Sequence, residues 1–435
     1  MGSDPSGASA LPAAHVPSPR GWVLTAFGGL LLAAAVWFLY KDYKPFLNDF
    51  EVYYYGGSRV LESGDSLYAP RDGLPFTYPP FAAVLFAGLA TMGFGAGSMV
   101  FILSALFGAA VVAAWLSRHY FGMNTWRATF ADYRFRTTTA VGTGAILLLG
   151  PWRDTFVFGQ INIILMGVIL ADFALHGKVR AGQIRWPAGL LTGLAAGVKL
   201  TPLVFGLYFL VRRDFKALSW MAVGFFGSIA AGWAVLPQAS VAFWMKILPD
   251  TGRIGQPDFV DNLSLKGLLL HLGLPDSAQT SLEWAGLSLG LVALTVLVIK
   301  WALDVDENFI AVSATAVLML LISPVSWSHH WVWMAVALPG MAFAMHRVPS
   351  RQGRMRRAGW VIVACSTLAF YLTPKNIAVL AGAAEWGKGV ETQFQLSVSS
   401  LGVLCGIALL VYWAFAYRPA RTGIGAARAG AVRSS

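Results

Sequence analysis

Thirteen apolar stretches follow one another along the chain: 22–39, 77–93, 96–116, 137–150, 155–175, 187–198, 201–211, 219–236, 286–303, 308–323, 327–346, 358–372 and 396–417. A helix crossing hydrocarbon needs about 20 mostly apolar residues, and its backbone polar groups must be satisfied inside the segment. A chain built from such runs folds as an all-α polytopic membrane protein. Composition agrees, with 57% hydrophobic and only 12% charged residues, against roughly 25% charged in soluble domains. Several stretches are too short to cross alone. The pair 187–198 and 201–211, split at Leu200, predicts a broken helix or re-entrant hairpin, which is tolerated at depth only where it lines a cavity or is buried in protein.

Charge sets the orientation. Five connections are basic: Arg118–Arg136, Lys178–Arg185, Arg212–Lys216, Arg347–Arg357 and the tail from Arg418. They hold 19 of the 32 Lys and Arg against two acids, Asp132 and Asp214, which assigns them to the cytoplasm. The long connections 40–76 and 237–285 hold eleven acids against seven basic residues and belong outside, as does 373–395. With both termini inside, the crossings are even in number, so one of the thirteen stretches does not span. The 77–116 region is the expected place, leaving about twelve transmembrane helices with short broken segments and extracytoplasmic loop helices. Residues 1–20, rich in Pro, Ser, Ala and Gly, are expected to be disordered. Residues 21–417 form one domain and 418–435 a basic cytoplasmic tail. The run from Trp22 ends in Trp-Phe-Leu-Tyr-Lys without a small-residue cleavage site, so it reads as an uncleaved first span.

The net charge of +11 is accounted for by this orientation and by contact with anionic lipid, not by nucleic acid. Cys365 and Cys405 both lie in apolar runs and give no disulfide framework. Walker A, paired CxxC and HExxH motifs are absent, and DVD at 304–306 falls in a short cytoplasmic connection, where it reads as turn and cap residues. No metal site or nucleotide-sugar site is visible. Ionisable and amide groups nonetheless occur at or within the outer ends of the spans, where they are expensive and default to a functional hypothesis. Lys199 lies in GVKLTP (197–202), and Gln160 and Asn162 in FGQIN (158–162), just after Arg153 and Asp154. His329 and His330 lie in SPVSWSHHWVW (323–333), and Asn262 and Lys266 in DNLSLKG (261–267). Each has an ordinary reading too: a snorkelling lysine, an interfacial His-Trp belt, amide glue between helices. Their convergence on one side argues for a polar, anion-accepting cavity opening outward.

NDFEVYYYGG (48–57) follows the first span. Asn48 is a good N-cap and Glu51 can complete a capping box, which places Asp49 in the first turn of a short helix on the outer surface. A carboxylate held at an apolar interface suits a general base for a sugar hydroxyl; an ordinary helix-start acid reads the same way. The tyrosines at 53–55 also fit an aromatic belt.

The run DFEVYYYGGSRVLESGDSLY, then PFTYPPFAAVLF (75–86), FGQIN, GVKLTP and SPVSWSHHWVW resembles glycosyltransferase family 87, the actinobacterial polyprenyl-phosphate-sugar-dependent transferases of the GT-C superfamily. The resemblance runs from about residue 22 to 417. PFTYPPFAA is most similar to the branch of α-1,2-mannosyltransferases acting on phosphatidylinositol mannosides, while Asp-Asn-Leu-Ser at 261–264 departs from the pattern. The resemblance implies an inverting transfer of mannose from polyprenyl-phosphate-mannose to a mannose 2-hydroxyl, with no cofactor beyond the lipid-linked donor and no metal. It implies Asp49 as the base and Lys199, His330, His329 and Arg153 around the donor phosphate. Tyr54, Tyr78, Trp327 and Trp331, with Gln160, Asn162, Asn262 and Lys266, would contact substrate. It also implies a multi-pass protein of the plasma membrane with its site facing out. The alternatives are a family member that branches lipomannan or transfers arabinofuranose, and, in a different class, a flippase or secondary transporter. The latter predicts inverted repeats, and none is visible.

Overall fold

Each of the thirteen apolar stretches contains a helix. The structure is a computed structural model that describes residues 19–62, 66–69, 74–123, 126–249, 255–347, 353–380 and 397–419. The expected disorder of residues 1–18, the tail from 420 and the loop 381–396 lie outside the described residues, whereas Pro19 and Arg20, expected to be disordered, open the first helix. In chain order the helices are α1 (Pro19–Asp42), α2 (Asn48–Glu62), α3 (Pro80–Thr91), α4 (Phe94–Tyr120), α5 (Trp126–Ala131), α6 (Tyr133–Leu148) and α7 (Gly150–Phe158). There follow α8 (Asn162–Arg180), α9 (Leu190–Val198), α10 (Gly206–Val211), α11 (Phe215–Val235), α12 (Pro237–Ala242), α13 (Leu265–His271) and α14 (Ala278–Asp304). The last are α15 (Asn308–Ile322), α16 (Met334–Arg347), α17 (Gly353–Leu372), α18 (Pro374–Leu380) and α19 (Leu401–Tyr417). The described residues contain no β-strand, only an isolated bridge between Asn262 and Trp327.

Five helices, α1, α4, α8, α11 and α14, are long and apolar enough to cross a membrane. Helix α15 is buried on every side from Ile310 to Leu321, as an apolar helix at the centre of a bundle must be.

Two departures from the sequence reading shape the functional region. The stretch 155–175 is not continuous: α7 ends at Gly159, which takes the left-handed conformation at φ 66°, and α8 starts at Asn162. The chain thereby gains a short buried helix, with Gln160 in the turn that follows it and Asn162 at the start of α8. Helix α3 is only 12 residues long, about 18 Å, and lies along α2. Tyr78, just before α3, has its ring 5.2 Å from that of Tyr53, and Phe86 within α3 stacks on Tyr53 at 4.7 Å. Phe94, which opens the next helix, sits 5.1 Å from Phe50. Both ends of α3 therefore flank α2.

The predicted broken segment is a hairpin. Helix α9 ends at Lys199, which is extended (φ −147°, ψ 124°), and the chain turns back through a 3-10 turn, Thr201–Phe205, into α10. Gly189, Gly193 and Gly197 repeat every four residues and bring α9 onto α11: a Cβ at Gly193 would strike the Met221 carbonyl, and one at Gly197 the Ser228 side chain. Small residues at this spacing permit backbone-to-backbone approach where helices have no hydrophobic drive to associate. The start of the hairpin is held by the buried Asp172 of α8. Its Oδ1 accepts from the Gly189 N–H (3.1 Å) and the Trp186 indole (3.4 Å), and its Oδ2 from the Thr192 N–H (2.9 Å) and hydroxyl (2.8 Å). A carboxylate supplied by a neighbouring helix satisfies donors that α9 would otherwise leave open at its N-terminus.

Candidate active site

A cavity of about 710 Å³ collects side chains from six separate parts of the chain, among them Asp49, Tyr53, Tyr78, Gln160, Lys199, Asp261, Trp327, His329 and His330. Asp49 is placed by its own end of α2. Leu47 precedes the helix in the left-handed region (φ 58°), its carbonyl accepts the Glu51 N–H at 2.8 Å, and the Phe46 and Leu47 N–H groups both donate to the Val157 carbonyl in α7 (2.7 and 2.8 Å). Asn48 is thus the first helical residue rather than a flanking cap, and the acid is registered against the α7 turn that carries Gln160. Burial pushes the Asp49 carboxyl up to about 6, against the hydrogen bond from Gln160 and the charge of Lys199.

From Gln160 a hydrogen-bonded chain crosses the site. Its Oε1 accepts from the Tyr53 hydroxyl (2.9 Å) and the Asn162 amide (3.1 Å), and the Tyr53 and Tyr78 hydroxyls are 3.0 Å apart. Asn162 Oδ1 accepts from Lys199 Nζ at 3.0 Å, and Lys199 Nζ lies 2.9 Å from His330 Nε2. An ammonium has three protons and no lone pair, so His330 accepts through Nε2 and its ring is neutral there. Lys199 spends two donors in this way and turns toward the Tyr78 ring, 5.9 Å from its centroid.

The structure therefore brings Asp49, Lys199, His330, His329, Tyr78, Gln160, Asn162 and Trp327 to one place. It does not bring the other expected residues. The Arg153 guanidinium donates to the Tyr371 carbonyl at 2.6 Å and lies beside the Tyr43 and Tyr371 rings, away from the cavity. Tyr54 packs against Phe94 and Phe50, and the neighbouring Tyr53 takes the place expected of it. Trp331 is fully buried against Phe370. Asn262 is consumed by backbone: its amide donates to the Pro257 and Pro324 carbonyls, and its Oδ1 accepts from the Ser264 and Ser326 N–H groups. Lys266 pairs with Asp276 at 3.0 Å. None of these five lines the cavity.

Three residues that the sequence reading left out form a buried polar cluster, of which Asp261 lines the cavity. Lys375 Nζ donates to Asp154 Oδ2 at 2.7 Å and lies 3.7 Å from Asp261 Oδ1, while the Ser328 hydroxyl is within 2.5 Å of Asp154 and 2.9 Å of Asp261. Asp261 was readable as the residue before Asn262, and Ser328 as the residue before the paired histidines. Lys375 sits in no motif. Among the described residues no group of three or more His, Cys, Asp or Glu is close enough to hold a metal ion.

Residues 76–324 match the profile of glycosyltransferase family 87. A polyprenol-phosphate-mannose-dependent alpha-(1-2)-phosphatidylinositol mannoside mannosyltransferase of Mycolicibacterium smegmatis is 34% identical over 358 residues, 76% of this chain and 79% of that protein. Its namesake in Mycobacterium tuberculosis is 33% identical over 331 residues (73% and 74%). A phosphatidylinositol pentamannoside mannosyltransferase of Mycolicibacterium smegmatis, dependent on the same donor, is 32% identical over 326 residues (72% and 73%). No solved structure matches. The matched region holds Tyr78, Gln160, Asn162, Lys199 and Asp261 of the cavity, and the relatives extend the likeness over most of the chain: it belongs to glycosyltransferase family 87.

Proposed function

We propose that the chain transfers mannose from polyprenyl-phosphate-mannose to the 2-hydroxyl of a mannose on a phosphatidylinositol mannoside, with inversion to an α-1,2 linkage. The observation that carries this reading is the cavity itself: a half-buried carboxylate and a half-buried lysine amine share one 710 Å³ space, and the relatives' names supply donor and acceptor. Asp49 removes the proton of the acceptor hydroxyl as its oxygen attacks the anomeric carbon. The bond from that carbon to the phosphate oxygen breaks, and the polyprenyl phosphate leaves with the electron pair. Lys199, anchored by Asn162 and His330, faces the charge that gathers on the departing phosphate, in a site where burial strengthens the interaction. In this reading the acidic connections and the cavity face outward from the plasma membrane, the chain crosses about twelve times, and the lipid-linked sugar is the only cosubstrate. The acceptor class is the one that the relatives' names share.

Asp49→Asn tests it. The variant keeps size and hydrogen bonding but not basicity, and general-base catalysis contributes typically about 10²–10⁴-fold; initial rates of mannosyl transfer in reconstituted membranes are expected to fall by that much. Wild-type turnover is expected to fall as pH drops through about 6, the value to which burial lifts Asp49. The folded chain holds this proton more tightly than the unfolded chain. The group therefore stabilises the fold at low pH and loses that contribution as pH rises from about 4 through about 6. Asp49→Asn, which never ionises, is expected to melt no lower than wild type at neutral pH. An active Asp49→Asn beside an inactive Glu51→Gln would transfer the role to Glu51.

A further inference from the structure

The polar wall around Asp261 is short of protons. Two carboxylates, Asp154 and Asp261, face one ammonium, Lys375, and one hydroxyl, Ser328. The Ser328 hydroxyl has a single proton and stands within hydrogen-bond distance of both acids, so it serves one at a time. Asp261 Oδ2 also has the Ser328 N–H at 3.4 Å, but its Oδ1 lies 3.7 Å from Lys375 Nζ, beyond hydrogen-bond reach, and has no other donor. On the same cavity, the His329 ring makes no hydrogen bond through either nitrogen; its ring neighbours are Phe158 (5.6 Å) and His330 (4.7 Å). Both side chains belong to residues no more than 6% exposed. Buried polar atoms without partners are rare in folded proteins and call for an occupant.

We infer that Asp261 and His329 form the subsite that reads the hydroxyl groups of the transferred sugar. An oxygen that only accepts, on the same cavity as an imidazole with one donor and one acceptor, matches a polyol, whose hydroxyls both give and take hydrogen bonds. An anion does not fit, because the wall already holds one more acid than base. The Trp327 ring lines the same space, steadied at its edge by Phe259 at 5.8 Å, and supplies an apolar face for a sugar ring. The inference rests on the functional reading above in one respect. With the donor phosphate at Lys199 and His330, the sugar bonded to it falls one residue along the chain, at His329. Asp154, Ser328 and Lys375 then act as positioning residues that hold Asp261 aimed at the cavity.

The test is discrimination rather than rate. A site built to hydrogen-bond a hydroxyl rejects the analogue that lacks it by large factors, because its buried groups are left unpaired. The full-length chain in proteoliposomes is assayed with polyprenyl-phosphate-mannose and its four monodeoxy analogues. Wild type is expected to discriminate against at least one of them by about 10²-fold or more in kcat/KM, and Asp261→Asn to reduce that one ratio at least tenfold while the ratios for the others hold. A loss of kcat/KM equal for all five donors, or an unchanged set of ratios, would overturn the subsite. Should Asp261→Asn fail to accumulate, His329→Gln carries the same measurement. If wild type refuses the mannosyl donor but uses another polyprenyl-phosphate sugar, the functional reading falls, and the deoxy series of that sugar decides the subsite by the same ratios.

Discussion

The two ends of helix α9 each carry one ionisable side chain, and the pair separates a charge that builds the fold from a charge that is kept for use. At the start of the hairpin, the carboxylate of Asp172 takes four hydrogen bonds, all from the segment it anchors. At the apex, Lys199 gives two hydrogen bonds and lines the 710 Å³ cavity. Burial grades the two residues, Asp172 being buried and Lys199 half-buried, but does not by itself mark a site. Remaining hydrogen-bonding capacity, directed at a space large enough for a ligand, does.

Mutation of each end should therefore fail in its own way. Lys199→Met keeps the length of the side chain and removes the charge. Loss of one preorganised donor at a developing anion is typically worth about 10²–10³-fold, so turnover is expected to fall by about that factor with the melting temperature nearly unchanged. Wild-type turnover in this variant would reduce Lys199 to a snorkelling lysine. Asp172→Asn is expected to do the reverse: two of its four acceptor contacts are lost and one α9 donor is left open, which lowers stability by about 1–3 kcal/mol while the remaining folded fraction turns over within a few-fold of wild type. If Asp172→Asn were as catalytically damaged as Lys199→Met at full stability, the two ends would not be different in kind. The smallest effect is a label. Cysteines placed at the exposed positions Gln279 and Gln183 are expected to be modified from outside and protected, respectively, in intact cells. Equal labelling would undo the assignment of the apex to the outer side.

Much of this was legible from local pattern. Hydropathy is a property of short windows, and it located a helix in every apolar stretch; Leu-Leu-Thr-Gly-Leu-Ala-Ala-Gly-Val followed by Lys and Pro showed the hairpin. The break inside 155–175 was not legible, because Gln160 and Asn162 sit in an otherwise apolar stretch without a proline, and Gly159 packs there against Phe50 and Leu47 from another part of the chain. The site divided along the same line. Asp49, Lys199 and His330 are unusual in their own surroundings and could be singled out. Lys375 is an ordinary lysine after a span until the fold brings it to Asp154, 221 positions away. Asn262 and Arg153 misled for the converse reason: their residue types suggest ligands, and only the fold reveals that backbone carbonyls and amides already occupy them.

The hairpin also fixes a length. Helix α9 has nine residues, about 13.5 Å of rise, clamped at one end by Asp172 and fastened along its side by glycines against α11. With little freedom to slide, it works, on the proposed function, as a depth gauge: the level in the bilayer at which the donor phosphate would meet Lys199 is set by counting residues. Adding one helical turn before Lys199 would move that level by about 5.4 Å, and a polyprenyl donor floating at its own preferred depth would no longer find the ammonium where its headgroup rests.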